Sequence, residues 1–258
     1  MAEILPYFPA FLLIFVRVTT FFVVLPIFSH RSLPMMHRIG FGFFLAWIMY
    51  YTIEAPVLEI DLTYYFLILK EVLVGLFIGF VAYMMMSAIQ IAGGFIDFQM
   101  GFAMANVIDP QTGAQSPLMG QYIYTIALLF LLSTNGHHLL LDGIFYSYQF
   151  IPIDQVYVPF GDESIIEYLA KAFSQSFVIA LQMSIPVVGS VFLVDVALGI
   201  LARTVPQLNV FVVGIPVKIV AGFIVLFVVI GAMMHVVTNL FELILIAMRN
   251  LMELIGGR

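Results

Sequence analysis

The sequence has 258 residues, 63% hydrophobic and 9% charged, with formal net charge −6 and mean hydropathy +1.13. Soluble domains run near about 45–50% apolar and about 25% charged, so this chain is an integral membrane protein. No stretch has the footprint of a nucleic-acid binder, and the absence of cysteine excludes disulfides, thiol catalysis and cysteine metal sites.

A membrane span needs about 20 apolar residues. The N-terminus lacks the positive region of a cleaved signal peptide, so Ile4 to Phe28 reads as a retained first span ending at Pro26 and Ser29-His30-Arg31. Ile39 to Ile53 is shorter, with Trp47, Tyr50 and Tyr51 clustered as in an interfacial belt. Tyr64 to Ile91 is long and contains Lys70 and Glu71. Tyr122 to Leu132 and His138 to Phe150 are each too short to span alone and form one broken span or a re-entrant pair. Pro152 to Glu167 is the longest mainly polar region. Leu169 to Leu201 follows, with Pro186 and Gly189 placed to kink it. Ile219 to Val237 runs into a C-terminal helix ending near Ile255. That helix is amphipathic, with Asn239, Glu242, Arg249, Asn250 and Glu253 on one side and Leu243, Ile244, Met248, Leu251 and Leu254 on the other. A partner helix and a membrane surface would satisfy it equally well.

The positive-inside rule places Arg31 and Arg38 in a cytoplasmic loop, and Arg203 and Lys218 around another. Acidic loops at Glu54–Asp61 and Asp154–Glu167 then fall outside, as do both termini.

Gly93 to Gly120 is the least regular stretch, with five glycines, two prolines, two aspartates and no lysine or arginine. Its centre, Asp109-Pro110-Gln111-Thr112-Gly113, cannot continue a helix, because proline removes a donor and Asp and Gly favour turns. Irregular backbone at membrane depth persists only where protein buries it or it lines a watery cavity. We read the stretch as part of a pore.

Arg17 stands mid-span, where an arginine costs about 2.5–3.5 kcal/mol on insertion scales and must face protein or water. It either lines a conduit or forms a buried ion pair, with Glu71 as the expected partner. Lys70, adjacent in sequence, points about 100° away on a helix, which leaves a subunit interface open to it or to Glu71. Asp97, Asp109 and Asp142 sit beside turn formers, where aspartate caps backbone; Asp195, in VFLVDVALG, is embedded and open to a proton-relay role. Adjacent His137 and His138 do not face the same way on a helix and lack a second ligand cluster, so no metal is assigned. Gly75 and Gly79 form a small-xxx-small face for close helix packing. Met84, Met85 and Met86 are either adaptable gap-fillers near the loop or plain apolar core. No nucleophile elbow or phosphate-cradling loop is present, which argues against an enzyme and against a bound cofactor.

Three features together resemble the FliR family of bacterial type III secretion. They are Arg17 followed by Pro26-Ile27-Phe28, the run GFIDFQMGFAMANVIDPQTG leading to LLFLLSTNGHHLLLDG, and the late loop LARTVPQLNVFVVGIPVKI. The resemblance covers essentially the whole chain. It implies an all-α membrane protein of kinked helical hairpins, with a FliP-like region over 1–168 fused to a FliQ-like hairpin over 169–258. One copy would join several FliP and FliQ subunits in a helical gate in the bacterial inner membrane, at the flagellar basal body. Unfolded flagellar proteins would pass through that gate.

The resemblance also implies a channel plug at Asn106, Val107, Ile108, Asp109, Pro110, Gln111, Thr112, Gly113, Ala114, Gln115, Ser116, Pro117 and Leu118. The FlhB subunit would dock on the cytoplasmic loop carrying Arg203, Pro206, Gln207, Asn209, Pro216 and Lys218. The rival readings are an injectisome-type homologue and a small-solute secondary transporter. A transporter should show paired inverted halves, each with an interrupted helix, whereas the halves here are unequal.

Overall fold

The computed structural model describes residues 8–29, 33–53, 56–102, 117–205, 207 and 209–257. Among them there is no strand, and seven helices follow one another: α1 Phe8–Val24, α2 Met35–Thr52, α3 Leu62–Met100, α4 Leu118–Ser133, α5 Gly136–Phe150, α6 Glu163–Thr204 and α7 Val210–Gly256. α3, α6 and α7 are long and apolar enough to cross a membrane, and the broken pair α4–α5 counts as a fourth if taken as one span.

Three boundaries differ from the sequence reading. The stretch read as irregular from Gly93 is helical to Met100, because glycine is tolerated inside a long helix fixed by packing. The last two expected segments are one helix, α7, which carries Pro216 in its interior. The supposed loop from Arg203 to Lys218 is helical at both ends and narrows to Val205–Asn209.

Helix starts follow local chemistry. Asp61 accepts the Tyr64 N–H at 3.0 Å ahead of α3, Asp162 accepts the Ser164 N–H at 3.0 Å at α6, and Asn209 accepts the Phe211 N–H at 3.2 Å at α7. Each satisfies one of the orphan donors of a first turn. α3 ends where Gly101, at φ +92°, lets the N–H groups of Gly101 and Phe102 both return to the Asp97 carbonyl.

The chain folds into two compact units that ignore chain order. One unit gathers Met1–Met85, Thr134–Phe173 and Glu242–Arg258; the other gathers Met86–Ser133 and Ser174–Phe241. In the first, α3 lies directly on α1: a Cβ on Gly75 would collide with Thr20 Oγ1 and the Arg17 carbonyl, and one on Gly79 would sit 3.0 Å from the Phe21 carbonyl. The small-xxx-small face is therefore a helix contact, as its spacing predicts.

The amphipathic C-terminal end of α7 finds its partner inside the chain. Ile244, Met248, Leu251 and Ile255 are buried, the Tyr168 hydroxyl donates to the Ala247 carbonyl at 3.4 Å, and Met248 lies against Gly143 of α5. Met84, Met85 and Met86 are buried too, which favours the plain-core reading.

Candidate functional site

Arg17 is fully buried, and every nitrogen of its guanidinium donates. Nε and Nη2 grip Glu71, the second at 2.9 Å to Oε1; Nη1 donates to Ser147 Oγ at 3.0 Å, and Nη2 also to the Ile151 carbonyl at 3.0 Å. Its guanidinium carbon lies 3.8 Å above the centre of the Tyr148 ring. The cause is in the packing: Gly75 lets α3 touch the Arg17 backbone, and Glu71 stands one helical turn before Gly75 on the same face. A bidentate fork, a stacked ring and a carbonyl are what a buried guanidinium needs. Arg17 is thus buried and ion-paired with Glu71, the partner expected for it.

Lys70 departs from expectation. It is buried beside Glu71, with Nζ 2.7 Å from Glu71 Oε1 and 2.9 Å from the carbonyls of both Pro152 and Ile153. Its flexible stem lets an ammonium that starts on another helix face curl back to the same carboxylate. One glutamate therefore serves two cations, with the end of α5 supplying carbonyls from Ile151, Pro152 and Ile153. Those carbonyls lie just past the end of α5, outside its hydrogen-bond ladder. Sequence reasoning missed them, along with Ser147 and Tyr148; the only signal was Pro152, which stops α5 and leaves acceptors free.

In the second unit, the end of α3 and the start of α4 are clasped together. The Asp97 carboxylate, on the last turns of α3, accepts the Met119 N–H at 3.1 Å on each oxygen. It is 4% exposed and caps the first turn of α4 across a gap of many residues rather than its own turn. A Cβ on Gly93 would fall on the Gly120 backbone, so the two helices cross there at glycine–glycine distance, and a Cβ on Gly94 would sit 3.6 Å from Pro117 Cγ. Of the plug expected from the resemblance, Pro117 and Leu118 belong to this clasp and to α4; Asn106 to Ser116 lie outside the described residues.

Asp195 is not isolated. Its Oδ1 is 2.6 Å from Lys218 Nζ, and its Oδ2 accepts from Gln99 Nε2 at 2.8 Å. Three helices, α6, α7 and α3, meet at this carboxylate. Lys218 therefore belongs to α7 and to Asp195, not to a loop.

Of the other residues of the supposed docking loop, Arg203 is exposed in the last turn of α6 and Gln207 is exposed in the turn. Asn209 caps α7, Pro216 lies within α7, and Pro206 lies outside the described residues. Asp109 is likewise outside them, and Asp142 sits in the interior of α5 rather than at a turn. The rings of His137 and His138 do not diverge; they lie against each other with centres 4.2 Å apart. Among the described residues no group of three His, Asp or Glu could hold a metal.

Comparison with known proteins places these features in a group. Residues 8–244 match the family described as bacterial export proteins, family 1. The flagellar biosynthetic protein FliR of Bacillus subtilis is 61% identical over 257 residues, covering 99% of both chains. The Yop proteins translocation protein T of Yersinia pestis is 32% identical over 76% of each chain, and the flagellar biosynthetic protein FliR of Escherichia coli 28% identical over 80% of this chain and 78% of its own.

Proposed function

The chain belongs to family 1 of the bacterial export proteins and is a membrane-embedded subunit of a type III flagellar export gate, and from that premise we propose that the stretch from Asn106 to Leu118 closes the gate's channel. Its partners are other proteins of the export apparatus; in this reading they are FliP, FliQ and FlhB, in the bacterial inner membrane at the flagellar basal body. Unfolded flagellar proteins pass through the channel they share. The chain contributes walls and a closure rather than chemistry, and the driving energy enters elsewhere in the machine.

One observation carries the reading. The helices on either side of the proposed closure are held together, with Asp97 bonded to Met119 and Gly93 against Gly120. Helices tied to each other in this way need not unwind when the stretch between them changes, which suits a closure better than a spacer. The Asp109-Pro110 and Gly113 content leaves few backbone hydrogen bonds to break.

The test is ion leak across the inner membrane of cells whose chain lacks Val107 to Ser116, with assembly followed on a blue-native gel. Leak through an intact large complex is the expected outcome. An intact complex that stays tight would remove the closure and leave a wall subunit.

A further inference from the structure

We propose that Asp195, held by Lys218, is the positioning residue that fixes the last turn of α3 on the α6–α7 hairpin and so sets where the foot of the proposed closure stands. The docking stands on contacts among described residues; its consequence for closure rests on the reading above.

The carboxylate is used on both sides, Oδ1 for Lys218 of α7 and Oδ2 for Gln99 of α3. Asp195 is therefore the junction: its loss leaves both neighbours without it, whereas loss of either neighbour still leaves one contact. Gln99 is the penultimate residue of α3 and stands two residues after Asp97, so the same last turn carries the latch on one side and the α4 clasp on the other. Apolar contacts follow the latch. Met100 is buried against Gly222, and the Phe102 ring meets the Phe223 ring edge-on at 6.3 Å.

The latch also differs from an enclosed core pair: the side chains of Lys218 and Asp195 are 22% and 34% exposed on the chain, so fewer protein contacts hold the pair closed. Both residues stand about two and a half helical turns from the Val205–Asn209 turn. A shear of α6 along α7, driven at that turn, would part Asp195 from Lys218 and free Gln99 with it. The exposed turn and the foot of the loop are thereby linked through one carboxylate.

The chain has no cysteine, so Phe102→Cys in the full-length, membrane-assembled protein gives a single thiol at the foot. The reaction rate of that thiol with a small maleimide reports docking independently of leak. Gln99→Leu and Asp195→Asn should each speed labelling about tenfold, the scale set by losing a hydrogen bond to a charged group. The exchange D195K/K218D should hold the rate within about threefold of the parent, because the Gln99 amide can offer its carbonyl to the new lysine.

Unchanged labelling in Gln99→Leu and Asp195→Asn would overturn the proposal. So would a charge exchange that labels as fast as the single variants. If the single variants fail to assemble, the exchange decides alone: parental labelling supports the latch and tenfold faster labelling sinks it. Fast labelling without ion leak would keep Asp195 as the positioning residue and remove the closing role of the stretch from Asn106 to Leu118.

Discussion

The two units hold two charge clusters built from the same kinds of side chain. In one, Arg17, Lys70 and Glu71 are 0%, 3% and 0% exposed and meet only protein. In the other, Lys218 and Asp195 are partly open to solvent and take Gln99 as a third partner. A desolvated pair is rigid because breaking it strands a charge, whereas a wet pair can be exchanged for water. The first cluster reads as a frame and the second as a joint.

The largest effect should come from Glu71→Ala, which strands two buried cations at once. Breaking one buried pair costs about 3–5 kcal/mol, so the variant should not accumulate as an assembled complex on a blue-native gel. Asp195→Ala should accumulate normally; equal loss in both would erase the distinction between frame and joint. Arg17→Leu should fall between them. It leaves Glu71 still paired with Lys70 at 2.7 Å, so it should weaken assembly before it alters conduction. Normal assembly with lost export would sink the structural role of the Arg17 pair.

Asp97→Ala removes the side-chain cap of α4 supplied from α3, a loss of about 1 kcal/mol on the usual scale for caps. Hydrogen exchange at Met119 and Gly120 should accelerate while the Arg17 cluster stays protected. Ionic strength separates the clusters more finely. Screening lengths of about 10 Å at 0.1 M salt act on exposed charges far more than on buried ones. Salt should therefore speed labelling at Phe102→Cys and leave the exchange rates around Glu71 unchanged.

The smallest effect belongs to the fully exposed limit, Asp162. The Ser164 N–H holds its carboxyl below the usual aspartate range, with the Ser164 hydroxyl adding to the effect. A lowered value in the fold gives stability that is complete above the ordinary aspartate value and lost as pH falls through the lowered one. Exchange protection of the first turn of α6 should fade on acidification in the wild type. In Asp162→Asn it should be insensitive to pH over the same range.

Much of the architecture was legible in the chain. Apolar length gives α3, α6 and α7, and the break at Ser133–Gly136 separates α4 from α5. Gly75 and Gly79 announced a close helix contact, and a mid-span arginine announced a buried partner. Glu71 could be named because intramembrane charges pair and few were available. Lys70 could not be placed, since a flexible side chain reaches a site that helical spacing alone points away from. Asp97 was readable as a capping residue, but not as the cap of a helix that begins many residues later. The same holds for Gln99, whose amide has no sequence pattern that predicts its partner.

What the sequence determined by itself was a helical membrane protein with a break in the middle. These follow from composition, periodicity and turn chemistry, which act over a few residues. Tertiary structure alone decided that one glutamate answers two cations, that the carbonyls closing α5 complete their shell, and that Asp195 joins three helices. Such sites form only when segments distant in the chain are packed to within a hydrogen bond of each other. The penalty for leaving a charge unpaired away from water fixes that some partner must exist; packing chooses which one.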